Sequence, residues 1–381
     1  MNKISSKHFI LFIIGVSMIS IKTYMSVFID IGGRDTWLAS LIAGIIFILF
    51  LFFITTIYKT TEASDINDIF LKALPKPLGI FFLFIFILAL FINAIESAAV
   101  DANVLHTTLF IDTPVWYALI FFIVPSLFIF SKKIRTILIF ILISVFVLIL
   151  NGIVFFILSQ MYKDINHLLP VLGTGLSTKF FTTILLILGS LSSFMIVTPF
   201  IKFIDKDEHI VKHSFYSGVI VIAFVVISFV GAITAFGPYR AANIFYPEFV
   251  LSQRIEVAGF LEFGELFFIV QTVIGFFIKY LLSSYSILLI LERVFKNKPL
   301  IIGIYTFLTY VFSNFLGMNN FYLYKILRYI QVVNLVAFVI IPIIVFTMYY
   351  LKFKKKRTSN NLSKWYFSII LKILNIKKIF L

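Results

Sequence analysis

The chain has 381 residues, is 61% hydrophobic with a mean hydropathy of +1.09, and only 13% of its residues are charged. That balance excludes a soluble domain, and long apolar runs without two-residue alternation exclude a barrel of strands, leaving an all-α polytopic membrane protein. The net charge of +15 sits in short loops and a tail beside the apolar runs, where orientation and anionic membrane lipids explain it, so no nucleic acid is expected as a partner.

About ten transmembrane helices of roughly 20 residues fit the apolar runs. Span 1 is read as Phe9 to Ile29, followed by the turn Gly32-Gly33-Arg34-Asp35, and span 2 as Leu38 to Ile57. No small-residue cleavage site follows the first run, so it reads as a retained span rather than a signal peptide. Ser64 to Leu74 reads as a short amphipathic helix capped by Ser64 or Asp65 and stopped by Pro75. Span 3 runs from Leu78 to about Val100, span 4 from Val115 to Phe130, and span 5 from Thr136 to Leu158. A long loop, Gln160 to Thr178, leads to span 6, Phe180 to Phe203, and span 7, Phe215 to Phe236. After the loop Gly237 to Leu261 come span 8, Phe263 to Leu291, span 9, Leu300 to about Phe315, and span 10, Ile330 to Leu351.

Lysine and arginine alternate between the two sides. The N-terminus, the 2–3, 4–5, 6–7 and 8–9 loops and the tail hold about 23 of the 32, which predicts both termini on the cytoplasmic side. Residues 1–351 thus form one transmembrane domain, and 352–381 a basic tail in which Trp365, Ile369, Ile373 and Ile376 share a helical face suited to the membrane surface.

Two spans carry matching interruptions. Gly15, Ser17 and Ser20 break the apolar run of span 1, and Gly189, Ser190, Ser192 and Ser193 break span 6, with Thr198-Pro199 beyond. Five spans per half would put the second half in inverted orientation, so that span 6 matches span 1. Interrupted helices free backbone N–H groups that can receive a substrate carboxylate; the plainer alternative is a small-residue packing face.

Ionisable groups at bilayer depth are costly and need partners. Asn93 and Glu96 share one face of span 3; Glu96 reads as a receiver of a substrate ammonium, a proton site, or half of a structural ion pair. Span 8 offers Gln271, Lys279 and Ser283, and Lys279 lies too deep to reach the interface easily. Lys22 reads as solvated near the outer surface. The ligand-binding candidates are therefore Gly15, Ser17, Ser20, Asn93, Glu96, Gly189, Ser190, Ser193, Gln271, Lys279 and Ser283. Together they suit a zwitterion, an amino acid or similar small nutrient.

Enzymatic readings fail. His209 and His213 have metal-pair spacing but no glutamate follows the first, and no P-loop, GxGxxG or GxSxG is present. The absence of cysteine excludes disulfides and thiol chemistry. No enzyme activity, metal or cofactor is expected.

Several short motifs stand in a recognisable order: Gly33-Arg34-Asp35-Thr36-Trp37-Leu38, then Leu168-Leu169-Pro170-Val171, Tyr246-Pro247, Phe260-Leu261-Glu262 and Phe277-Ile278-Lys279. Over about residues 5–355 the chain resembles the spore germination permeases, the B subunits (GerAB type) of endospore germinant receptors within the amino acid–polyamine–organocation superfamily. The resemblance implies a leucine-transporter-like (LeuT) fold, a five-plus-five inverted repeat with interrupted helices 1 and 6. It implies a subunit that binds a nutrient germinant in the spore inner membrane beside an A subunit and a lipoprotein C subunit, and so triggers germination. A secondary amino acid transporter coupled to protons or sodium is the alternative. A channel-forming subunit is disfavoured because no ring of pore-lining charge stands out.

Overall fold

The computed structural model describes residues 5–356 except 62, 64, 131, 133, 174, 205–208, 256–263 and 294–297. The surface helix expected in the tail lies outside the described residues. Every regular element among the described residues is helical. Among the described residues nine stretches are long and apolar enough to cross a membrane, and Val115–Phe130 is a shorter tenth. The outward faces are apolar, with Leu49, Phe121, Phe128 and Ile143 each more than 60% exposed, while the polar side chains turn inward. That is the arrangement hydrocarbon demands.

Length and composition alone merge Ser26–Gly32 with the helix after it, but packing separates them. Going up span 1, Ser6 meets His213 and Phe28 meets Phe229, so span 1 runs parallel to Ile210–Phe236 (span 7). Gly44 lies against Ile222 and Gly218 against Ile48, so Thr36–Thr61 (span 2) runs antiparallel to span 7, and hence to span 1. The reversal falls at Gly33, whose φ of +57° is easy only for glycine. Span 1 also runs antiparallel to span 6, with Val16 opposite Ser193 and Gly32 opposite Thr183. This is the relation an inverted repeat requires of its first helices.

The short helix expected after span 2 is Ile66–Ala73, capped by Asp65, whose carboxylate accepts the Asn67 N–H at 2.9 Å. Arg293 clasps it to the end of span 8 through Asp65 at 2.8 Å and Asp68 at 2.7 Å. Burial alone would raise the Asp68 carboxyl, but hydrogen bonds from Arg293 and Lys72 hold it below its ordinary value.

Several expected boundaries shift, and span 7 begins at Ile210 rather than Phe215. Span 3 is Lys76–Thr108, so Asp101 lies inside the helix, and span 10 begins at Asn320 rather than Ile330. The 160–178 loop contains two short 3-10 turns, Ser159–Tyr162 and Ile165–Leu168. Before Pro342, span 10 widens into a π-helical turn over Leu335–Ile340. A proline lacks the N–H for a helical bond and its ring crowds the carbonyl four residues back.

Candidate functional site

Both interruptions exist, in different forms. Span 1 is three segments, Ser6–Ser17, Ile19–Thr23 and Ser26–Gly32. The joint at Tyr24 leaves helical space, with φ −117° and ψ 46°. Span 6 does not unwind. It is α-helical over Thr178–Leu191 and tightens to a 3-10 helix over Ser192–Phe203. The serines and threonine explain the change: Ser192, Ser193 and Thr198 each donate to the carbonyl three residues back, at 2.6–2.7 Å, and Pro199 has no N–H to give. Ser193 also donates to the carbonyl of Val16 at 3.0 Å, tying the two breaks together.

Against this joint stands a buried ion pair. Lys279 reaches from span 8 to Glu96 on span 3, donating to Oε2 at 2.8 Å and Oε1 at 3.0 Å. Glu96 Oε1 also accepts from Ser20 Oγ at 2.7 Å and Tyr24 Oη at 2.6 Å. Glu96 is 0% and Lys279 1% exposed. Of the roles open to Glu96 in the sequence, the structure gives it the ion pair. The carboxylate is satisfied by four hydrogen bonds and fastens the short segment Ile19–Thr23 to spans 3 and 8. Tyr24→Phe is expected to cost about 1.5–3 kcal/mol, the range for a hydrogen bond to a charged group, read as a lowered unfolding midpoint of the purified protein.

The other candidates divide. Asn93 faces span 10, donating to Asn334 Oδ1 at 2.7 Å, rather than joining Glu96. Gly15 packs against Val145 and Ile278, and Gly189 against the Gln331 backbone, so both are close-approach points between helices. Ser17, Ser190 and Ser283 are buried, with no hydrogen-bond partner for their hydroxyls among the described residues. Gln271 belongs to a second cluster.

That cluster corrects the reading of Lys22. The residue is 4% exposed, not solvated. Its ammonium donates to Gln271 Oε1 at 2.9 Å and stands 3.7 Å from Glu248, while Gln271 Nε2 donates to Glu248 Oε2 at 2.8 Å. Glu248 lies in the short helix Pro247–Ser252 between spans 7 and 8. Burial pushes its carboxyl above the ordinary value, and Lys22 and Gln271 pull it back.

Beyond Tyr24 the molecule is closed by contacts among the end of span 1, the 237–255 segment and span 10. Arg328 pairs with Asp30 at 2.5 Å, and Ser26 Oγ and Tyr324 Oη both donate to the Phe245 carbonyl. A pocket of about 390 Å³ lies beside this closure, lined by Asp30, Tyr324 and Arg328 among others.

Sequence reasoning missed Tyr24, Glu248, Gln331 and Asn334. Tyr24 lies one helical turn beyond Ser20 and could have been placed on its face. Gln331, which donates to Tyr24 Oη at 3.1 Å, and Asn334 are three apart, a polar pair at bilayer depth. Glu248 gave no local signal.

Two solved structures of variants of the Eremococcus coleocola manganese transporter superpose on this chain. Their TM-scores are 0.63 and 0.51 at 14% identity, over 89% and 91% of this chain and 78% and 93% of theirs. At that identity the likeness is one of fold, and the fold is the leucine-transporter-like one with helices 1 and 6 interrupted. In sequence, Spore germination protein A2 of Bacillus subtilis (strain 168) is 25% identical over 284 residues, covering 72% of this chain and 76% of that protein. The family profile described as spore germination protein matches residues 3–322, from before span 1 into the start of span 10. Both interrupted helices and the Glu96–Lys279 pair fall within that match, and the chain belongs to the spore germination permease family.

Proposed function

We propose that this protein is the nutrient-sensing B-type subunit of a germinant receptor in the spore inner membrane. It binds a small zwitterion, an amino acid or a similar nutrient, where spans 1, 6 and 8 meet, and passes the signal to A- and C-type subunits, with both chain ends on the cytoplasmic side. The observation that carries the ligand site is the set of buried, unpartnered hydroxyls of Ser17, Ser190 and Ser283, joined by Gln331 Oε1. Native proteins rarely leave such groups unpaired. Each serine lies within four residues of Ser20, Ser193 or Lys279, the side chains that hold the joint. A ligand that completes these hydrogen bonds favours the conformation in which they converge, and that differential affinity is the signal.

A thermal-shift screen of amino acids on the purified protein tests this. One class of nutrient is expected to raise the unfolding midpoint. Ser17→Ala, Ser190→Ala and Ser283→Ala should abolish the shift while leaving the ligand-free protein as stable or more so, because an unsatisfied buried hydroxyl contributes nothing to it. A shift that survives all three substitutions would place the ligand elsewhere. The transporter fold of the structural neighbours favours one other reading, a secondary transporter coupled to protons or sodium. Concentrative uptake of labelled nutrient by proteoliposomes holding this chain alone would establish it in place of a receptor. The fold by itself carries no substrate over.

A further inference from the structure

Spans 5 (Ile134–Leu158) and 7 flank span 1, and between them lies a cavity of about 320 Å³ that the nutrient site does not use. Its walls are apolar: Ile153, Phe156, Ile220, Phe224 and Ile227. Ile153, Phe156 and Ile227 are 45%, 41% and 40% exposed on the outer surface of the bundle, so the cavity opens sideways toward the membrane. Its buried end is charged. Lys22 and Glu248 line it, and half-buried Lys163 joins them from the segment after span 5.

Two glycines on facing helices make room for the two ammonium groups. A side chain at Gly152 would start 3.8 Å from Lys22 Nζ, and one at Gly231 would start 3.6 Å from Lys163 Nζ. Among the described residues the charges do not balance. Glu248 is engaged by Gln271 at 2.8 Å and Lys22 at 3.7 Å, while Lys163 Nζ stands over the Phe156 ring at 5.0 Å. Two ammonium groups thus face one carboxylate of the described residues among apolar walls. Burial pushes the Lys163 ammonium below its ordinary pKa, and Glu248 opposes that shift. Positive charge withdrawn from water among apolar walls is stabilised by an anion that answers it. The walls in turn call for a hydrocarbon body.

We propose that this crevice binds an amphiphilic anion drawn from the membrane, its acidic head between Lys22 and Lys163 and its acyl tail against spans 5 and 7. A fatty-acid carboxylate and a phospholipid phosphate offer the same chemistry. Because Lys22 lies in the segment Ile19–Thr23, which also carries Ser20, the occupant braces the joint of span 1 from the side opposite Glu96 and Lys279. The inference is independent of the nutrient site.

The test is retention of lipid by the purified full chain. Native mass spectrometry is run after exchange into phosphatidylglycerol or phosphatidylcholine of identical acyl chains, and separately after loading with oleate. An anionic amphiphile is expected to be retained in preference to phosphatidylcholine. Lys163→Ala should weaken retention by about fivefold, in line with the contribution of one basic residue near an anionic lipid, and Lys163→Arg should restore it. Gly152→Leu should remove it by filling the cavity beside Lys22 while leaving every charged residue in the sequence unchanged. Retention of phosphatidylglycerol alone identifies a phosphate head, and of oleate alone a free carboxylate. Equal retention of phosphatidylcholine, or retention unchanged by Lys163→Ala, would overturn the proposal. So would a cavity that takes up free leucine and neither anionic lipid. Lys163 is half-buried and outside the spans, so its variants keep the test decisive if Gly152→Leu fails to fold.

Discussion

Glu96→Gln alone, or Lys279→Met alone, is expected to lower the apparent stability of the purified protein by about 3–5 kcal/mol, whereas the two together recover most of that loss. Each single change strands one charge in a place where neither residue exceeds 1% exposure. The double change removes both charges along with the need for either. The readout is the unfolding midpoint of the four proteins in one detergent. A double variant as damaged as the singles would show that the pair is not what holds spans 3 and 8 together. Nutrient response should behave differently and stay lost in the double variant. Ser20 and Tyr24 are then left with a neutral amide oxygen in place of a carboxylate, and the Ile19–Thr23 segment loses the Lys279 ammonium that ties it to span 8. The comparison separates a pair that supports the fold from one that also sets the position of the joint.

Gly189→Ala is expected to cost about 1–3 kcal/mol, the range for overpacking, and to abolish the response with it. A methyl group there would run into the backbone carbonyl of Gln331, which cannot swing aside as a side chain can, so spans 6 and 10 must part. Gln331 supports Tyr24, and Tyr24 supports Glu96, so the displacement reaches the ion pair through two hydrogen bonds. Gly15→Ala is the control. Its methyl would stand 3.0 Å from Val145 Cγ2 and 3.2 Å from Ile278 Cγ2, side-chain atoms that can yield. Thermal unfolding and germination assays on the two variants should therefore rank Gly189 well above Gly15, and the reverse order would remove span 10 from the signalling path proposed above.

The spans could be read from the sequence because twenty apolar residues in a row have few other uses. Glu96 and Lys279 stood out for the opposite reason: a charge at that depth demands a partner, and an ion pair was one of the roles left open for Glu96. The ends of spans 3 and 10 were not legible. Asn103 and Asn320 lower the local hydropathy, although Asn103 donates to Asn320 Oδ1 at 2.6 Å and the two satisfy each other inside the protein. Lys22 was misread because its burial depends on Glu248, which no nearby residue announces. The form of the break in span 6 was hidden as well. Gly-Ser-rich sequence signals a weak helix, but whether it unwinds or tightens depends on which carbonyls the hydroxyls find.

The tightened half of span 6 has a consequence for length. A 3-10 helix rises about 2.0 Å per residue and an α-helix 1.5 Å. The 12 residues of Ser192–Phe203 are therefore stretched by about 6 Å relative to their α-helical form. Relaxing that coil would draw Phe203 toward the centre of the bilayer by more than a full α-helical turn, with no hinge and no rotation of the neighbouring rods, and would pull on whatever is attached to the far end.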